Sequence, residues 1–131
     1  MNLNCLGKFA KVTGLAHFSG TSIDIAISIP ESAERAELVV KNEAGSVVFR
    51  KPICKATTEY SWTGEDAAGK IAKSGAYQFF IETFKKDVSQ GETEMATYQN
   101  VKEVQFEEGQ FSIIFSGGLM ADPKTISAVR D

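Results

Sequence analysis

Histidine is almost missing from this 131-residue chain, and cysteine and proline are scarce: one His, two Cys and three Pro. A metal centre needs several clustered nitrogen or sulfur ligands, and His17 with the distant Cys5 and Cys54 supplies no such set. No metal and no cofactor are expected. The two cysteines read as small buried hydrophobes beside apolar strand residues, not as a disulfide. There is no excess of positive charge: 14 Lys and Arg against 17 Asp and Glu leave a net charge of −3. That balance gives no electrostatic footprint for nucleic acid or an anionic membrane surface. No apolar run approaches the ~20 residues that span a bilayer, so membrane insertion is not expected. Met1-Asn2-Leu3-Asn4-Cys5 has neither the basic start nor the apolar stretch of a cleavable signal peptide. The G-x-S-x-G nucleophile elbow is missing, and His17 has no Ser, Cys or carboxylate at motif spacing. His17 reads as a loop or surface imidazole, the scattered glutamates as a solvated rim, and the chain as no enzyme.

What is present is alternation. Ile23, Ile25, Ile27 and Ile29 recur at period two, the mark of a strand with one face in a core, and Pro30 ends it. Ala36–Lys41 and Ser46–Arg50 flank the turn Asn42-Glu43-Ala44-Gly45 and read as a hairpin. Glu59–Trp62 and the aromatic-rich Ala76–Phe84 follow. Lys85–Glu94 is polar, carries Gly91, and reads as a long hairpin loop or a boundary between units. Strands are then expected at Glu94–Asn100, Val101–Glu107 and Gln110–Ser116, with another at Cys5–Val12. Only Pro30–Arg35 tempts a helix, and it is too short to stand alone. The chain is expected to be all-β. Phe18–Phe84 holds enough strands for a sandwich. If the flanks pair with each other, that sandwich is an insertion in a second, small β-barrel, with a packed junction between two individually marginal units.

Gly64-Glu65-Asp66-Ala67-Ala68-Gly69-Lys70 spells G-x-x-x-x-G-K. A phosphate loop is not expected here. Ile71 replaces the Mg²⁺-binding hydroxyl, Glu65 and Asp66 would repel phosphate, and Ser74-Gly75 leaves no helix to follow. The same residues suit a turn closed by the Asp66 side chain, with Gly69 at positive φ and Gly75 swinging the chain into the next strand. Trp62 is read as a core plug between two sheets.

The pattern Trp62-x-Gly64-x-Asp66-x-x-Gly69 followed by Gly75-x-Tyr77 resembles a segment of the flagellar hook-capping protein family, also called basal-body rod modification or hook assembly scaffold proteins. Thr63 and Ala72-Lys73 depart from that pattern. Leu6-Gly7-Lys8 with Val12-x-Gly14 is similar to the family's start. Val101-x-x-Val104, Gly109, Phe111, Gly117-Gly118 and Pro123-x-x-Ile126-x-x-Val129 are similar to its end. The resemblance implies an Ig- or fibronectin type III-like sandwich (17–87) inserted into a Tudor-like β-barrel built from both chain ends (1–16 and 88–131). Trp62, Gly64, Asp66, Gly69, Gly75 and Tyr77 would be its structural signature. The family's N-terminal export region has no counterpart before Leu3, so the chain reads as either a trimmed core or a divergent short form.

What the resemblance implies for function is a cap at the distal end of the growing hook. It would be exported by the flagellar secretion apparatus, promote incorporation of hook protein subunits, and be absent from the finished structure. Its partners would be hook protein and further copies of itself in a ring. Phe80 and Phe84 alternate with Tyr77, Phe79 and Ile81, so they face away from the core and are expected as an exposed aromatic pair at a partner surface or the domain junction. The alternative is an extracellular Ig-like binding or adhesion module. A sugar-binding version would need Trp62 as an exposed platform.

Overall fold

The computed structural model describes residues 5–131; Met1–Asn4, which carry most of the signal-peptide reading, lie outside them. Twelve strands follow in order: β1 (Phe9–Thr13), β2 (Ala16–Phe18), β3 (Ile23–Ala26), β4 (Arg35–Asn42), β5 (Val47–Ile53), β6 (Glu59–Trp62), β7 (Gly75–Lys85), β8 (Val88–Glu94), β9 (Ala96–Glu107), β10 (Gln110–Phe115), β11 (Met120–Ala121) and β12 (Ala128–Arg130). A 3₁₀ turn, Pro123–Thr125, is the only helical element among the described residues. The fold is all-β.

One sheet runs β2-β7-β4-β5, with β8 also on β7. The other runs β11-β10-β9-β1-β12, with β3 joining β6 to β9. Alternation packs the facing sides. Leu38, Val40, Phe49, Phe79 and Ile81 from the first sheet meet Ile23, Ile25, Trp62 and Met95 from the side of the second. A second buried cluster, Cys5, Ala10, Val12, Val101, Ile113 and Phe115, shares no residue with the first. It is closed by the two chain ends, since β1 pairs β12 with Phe9 opposite Arg130. β9 serves both cores: β3 lies along it at Thr97–Tyr98, β1 at Ala96–Asn100 and β10 at Val101–Glu107.

Several expectations are corrected. Lys85–Glu94 does form a hairpin, but its second arm, Val88–Glu94, is a strand on β7 instead of a loop, and it is not part of the terminal segment's ladder. Lys86 and Asp87 both take positive φ (49° and 61°), the two-residue turn whose twist matches a hairpin. Lys86 N–H donates to Glu34 and the Asp87 carboxylate accepts from Arg35. The expected strands Glu94–Asn100 and Val101–Glu107 are instead the single strand β9 from Ala96, with a bulge at Lys102 where the register on β10 shifts. The Asn100 side chain is tied to Gly7 and Ser116. β3 stops at Ala26, and β1 starts at Phe9 after a turn at Cys5–Gly7. Cys5 is buried but Cys54 is exposed, and both are free thiols. His17 is on strand β2, half-buried, with its ring against Gly117 at φ +97°.

Candidate functional site

β6 delivers Trp62 opposite Ile23 and into the first core, where the indole is 1% exposed. Its ring centroid lies 5.1 Å from Phe18, 5.1 Å from Tyr77 and 5.5 Å from Phe79, in tilted and edge-on contacts that favour aromatic quadrupoles. A buried indole N–H needs an acceptor, and Nε1 donates to the Glu65 carbonyl at 3.0 Å. The chain must therefore double back within three residues. Gly64 permits this at φ +93°, and its missing side chain leaves room for the Phe18 ring. Asp66 then closes the next turn: Oδ1 accepts from Ala68 N and Lys70 N, each at 2.9 Å, with Gly69 at φ +79°. Ala67 N donates to Val48 O on β5 at 2.8 Å, fixing the loop to the sheet edge. Tyr77 returns into the core and its hydroxyl donates to Lys73 O at 2.6 Å; burial pushes the phenol upward from its ordinary range. Gly75 has no left-handed φ, and a Cβ there would meet open space. Nothing in the structure requires a glycine at that position.

The same bonds dispose of the G-x-x-x-x-G-K motif. The amides of Asp66 through Lys70 are all donated within the protein, to Lys70 O, Val48 O, Asp66 Oδ1 and Asp66 O. A phosphate loop works by leaving such amides free. No group of three or more His, Cys, Asp or Glu is arranged to hold a metal ion among the described residues.

On the outer face of the β7 sheet, Phe80 pairs Val39 and Phe84 pairs Arg35 across the ladder. The expected exposed aromatic pair is not there. Phe84 is buried at 8% exposure under the Arg35 guanidinium, 3.7 Å above its ring, and Phe80 is half-buried beneath Lys41 Nζ at 4.6 Å. Charged side chains knit over them. Glu37 accepts from Arg35 (2.7 Å) and Arg50 (2.9 Å), while Glu82 accepts from Arg50 (2.6 Å) and Ser89 Oγ (2.6 Å). Arg50's hydrogen bond chiefly holds the Glu37 carboxyl below its ordinary range; Ser89's, then Arg50's, does so for Glu82. Depressed folded values mean stability that is present above the ordinary value near 4.5 and lost as pH falls through the folded ones. Arg50→Gln is expected to cost about 1 kcal/mol at neutral pH. The gap to the parent should close in urea titrations at progressively lower pH.

A second constellation escaped sequence reading. Arg130, on β12, reaches across to β6 and β3: its guanidinium meets Glu59 at 2.8 and 3.2 Å and Asp24 at 3.3 Å. It stacks 3.5 Å above the Tyr98 ring. Arg130's hydrogen bond holds the Glu59 carboxyl below its usual range. Gln99, the next residue on β9 after Tyr98, donates from Nε2 to Leu15 O at 3.0 Å. A cleft of about 290 Å³ opens between His17, Ser19 and Thr21 on one side and Phe9, Tyr98 and Ser116 on the other, and does not include Arg130, Glu59 or Asp24. Arg130 itself ties β12 to β6 and β3.

The family model described as the FlgD Ig-like domain matches residues 11–87. Among solved structures, FlgD from P. aeruginosa is similar at a TM-score of 0.73 and 19% identity, over 95% of this chain and 98% of that one. FlgD from Xanthomonas campestris, described for the hook capping essential for flagellar assembly, gives 0.75 and 18%, over 95% of this chain and 94% of that one. Truncated FlgD from Helicobacter pylori strain 26695 gives 0.53 and 17%, over 100% and 97%. A search of curated proteins finds no match.

Proposed function

The chain belongs to the FlgD Ig-like domain family, and from that premise we propose that it is a structural scaffold for flagellar hook assembly. In this reading it caps the distal end of the growing hook, promotes incorporation of hook protein subunits and leaves the finished structure. It reaches that place through the flagellar secretion apparatus, works as a ring of copies and catalyses nothing. The β2-β7-β4-β5 sheet with β8, β3 and β6 serves as the Ig-like sandwich, and β1, β9, β10, β11 and β12 serve as a Tudor-like barrel. The observation that carries the reading is the clasp of both chain ends, β1 on β12, beside a sandwich plugged by Trp62. A rigid two-core body held at its junction by Arg130 suits a scaffold that must keep its shape while exchanging neighbours through weak, repeated contacts.

The outer sandwich face around Phe80 serves as the candidate hook-protein contact; Phe84, under Arg35, supports it from below. Burial of Trp62 leaves the sugar-binding alternative without its platform. The test is retention of purified hook protein by the immobilised chain, together with hook length and motility in a strain lacking it. The expected results are saturable retention, and loss of hooks restored by the intact gene. Normal hooks in the deletion strain overturn the proposal.

A further inference from the structure

The β9–β10 hairpin outruns its own barrel. Ile113 faces Val104 across the ladder, and Ile113 is wholly buried in the second core. Two residues further out on the same face, Phe111 faces Phe106, ring centroids 4.7 Å apart, yet these side chains are 42% and 60% exposed. The core-facing side of the ribbon thus continues past the last element that covers it. Alternation puts Glu103, Gln105 and Glu107 on the other face. Among the described residues the edge of β9 opposite β10 is also open. β1 pairs only as far as Asn100, Val101 N still donates to Lys8 O, and Glu103–Glu107 have no ladder partner there among the described residues.

We propose that this open edge of β9 binds an extended polypeptide segment in which apolar and basic side chains alternate. A strand added to Glu103–Glu107 would place every second side chain over the Phe106–Phe111 pair and the intervening ones beside Glu103 and Glu107. Main-chain bonds supply the register, the aromatic pair the apolar contact, and the carboxylates the charge selection. A second copy docking ribbon to ribbon is disfavoured on two grounds. The exposed part of the two rings is only about 200 Å² per copy, about 400 Å² for two, against the ~1,200 Å² total of a stable protein pair. A two-fold contact would also crowd like charges at Glu103, Glu107 and Glu108. This inference goes beyond the hook-cap reading and is tested with the purified chain alone.

The probe is a short fluorescent peptide of alternating valine and lysine, compared with the same residues in two blocks and with valine alternating with glutamate. Saturable anisotropy is expected only for the first. Phe106→Ser with Phe111→Ser should weaken it about tenfold, with Trp62 emission unchanged as the check on folding. Glu103→Gln with Glu107→Gln, on the exposed face, should weaken it as well and flatten its salt dependence. Equal binding of the block peptide, unaltered binding by either variant, or aromatic-dependent self-association of the free chain would each overturn the proposal.

Discussion

Gly64→Ala is expected to cost about 2–5 kcal/mol, a large share of the ~5–15 kcal/mol that holds a domain folded. Two penalties coincide at this residue. Its φ of +93° is one that an L side chain adopts only at a cost of about 1–2 kcal/mol. A Cβ there would also lie 2.1 Å from Phe18 Cζ and within 2.8 Å of both Cε atoms. Those are atoms of a fully buried ring wedged 5.1 Å from Trp62, which cannot retreat without repacking the aromatic cluster. Gly69→Ala is the internal control. Its φ is +79°, but nothing lies within 4 Å of the added carbon, so only the backbone penalty of about 1–2 kcal/mol applies. Urea unfolding followed by Trp62 emission measures both. Equal losses for the two variants would show that the Phe18 contact carries no weight.

Strands whose one face is buried announce themselves: Ile23, Ile25 and Ile27 alternate because a core lies on one side, and Tyr77, Phe79 and Ile81 do the same. β8 could not be read that way. Its residues are exposed almost throughout, so neither face imposes a pattern, and its turn is made by Lys86-Asp87 where glycine or asparagine would have signalled a hairpin. The Asp66 turn was legible because its bonds span two and four residues. The Arg130 junction was not, since its partners lie 71 and 106 positions away and an isolated Arg near a chain end has no local signature. Phe80 and Phe84 were assigned to the correct face but not the correct exposure. Alternation gives direction, whereas the cover of Phe84 by Arg35 depends on a neighbouring strand. Phe106 and Phe111 illustrate the converse: alternation assigns them to the core side, and only the sheet's length beyond its cover exposes them.

Trp62→Ala is expected to be at least as damaging, about 3–5 kcal/mol from the cavity alone. The substitution removes the common neighbour of Phe18, Tyr77 and Phe79 and leaves the Glu65 carbonyl without its indole donor. Trp62→Phe separates the two effects. It keeps most of the ring contacts and forfeits the hydrogen bond, and so should lose roughly 1–3 kcal/mol. The cysteines then show whether damage in one core reaches the other. Cys54 is exposed and should react at once with a thiol reagent, whereas Cys5, buried in the second core, should react only when that core opens. β3 lies along β9, β9 carries Val101 into the second core, and Arg130 pins β12 to β6. Each core is also too small to be comfortably stable alone. Cys5 labelling and far-UV circular dichroism of Trp62→Ala should therefore change in one shared urea transition. If Cys5 stays protected after the sandwich has unfolded, the junction does not couple the cores and the rigid-body basis of the scaffold reading fails.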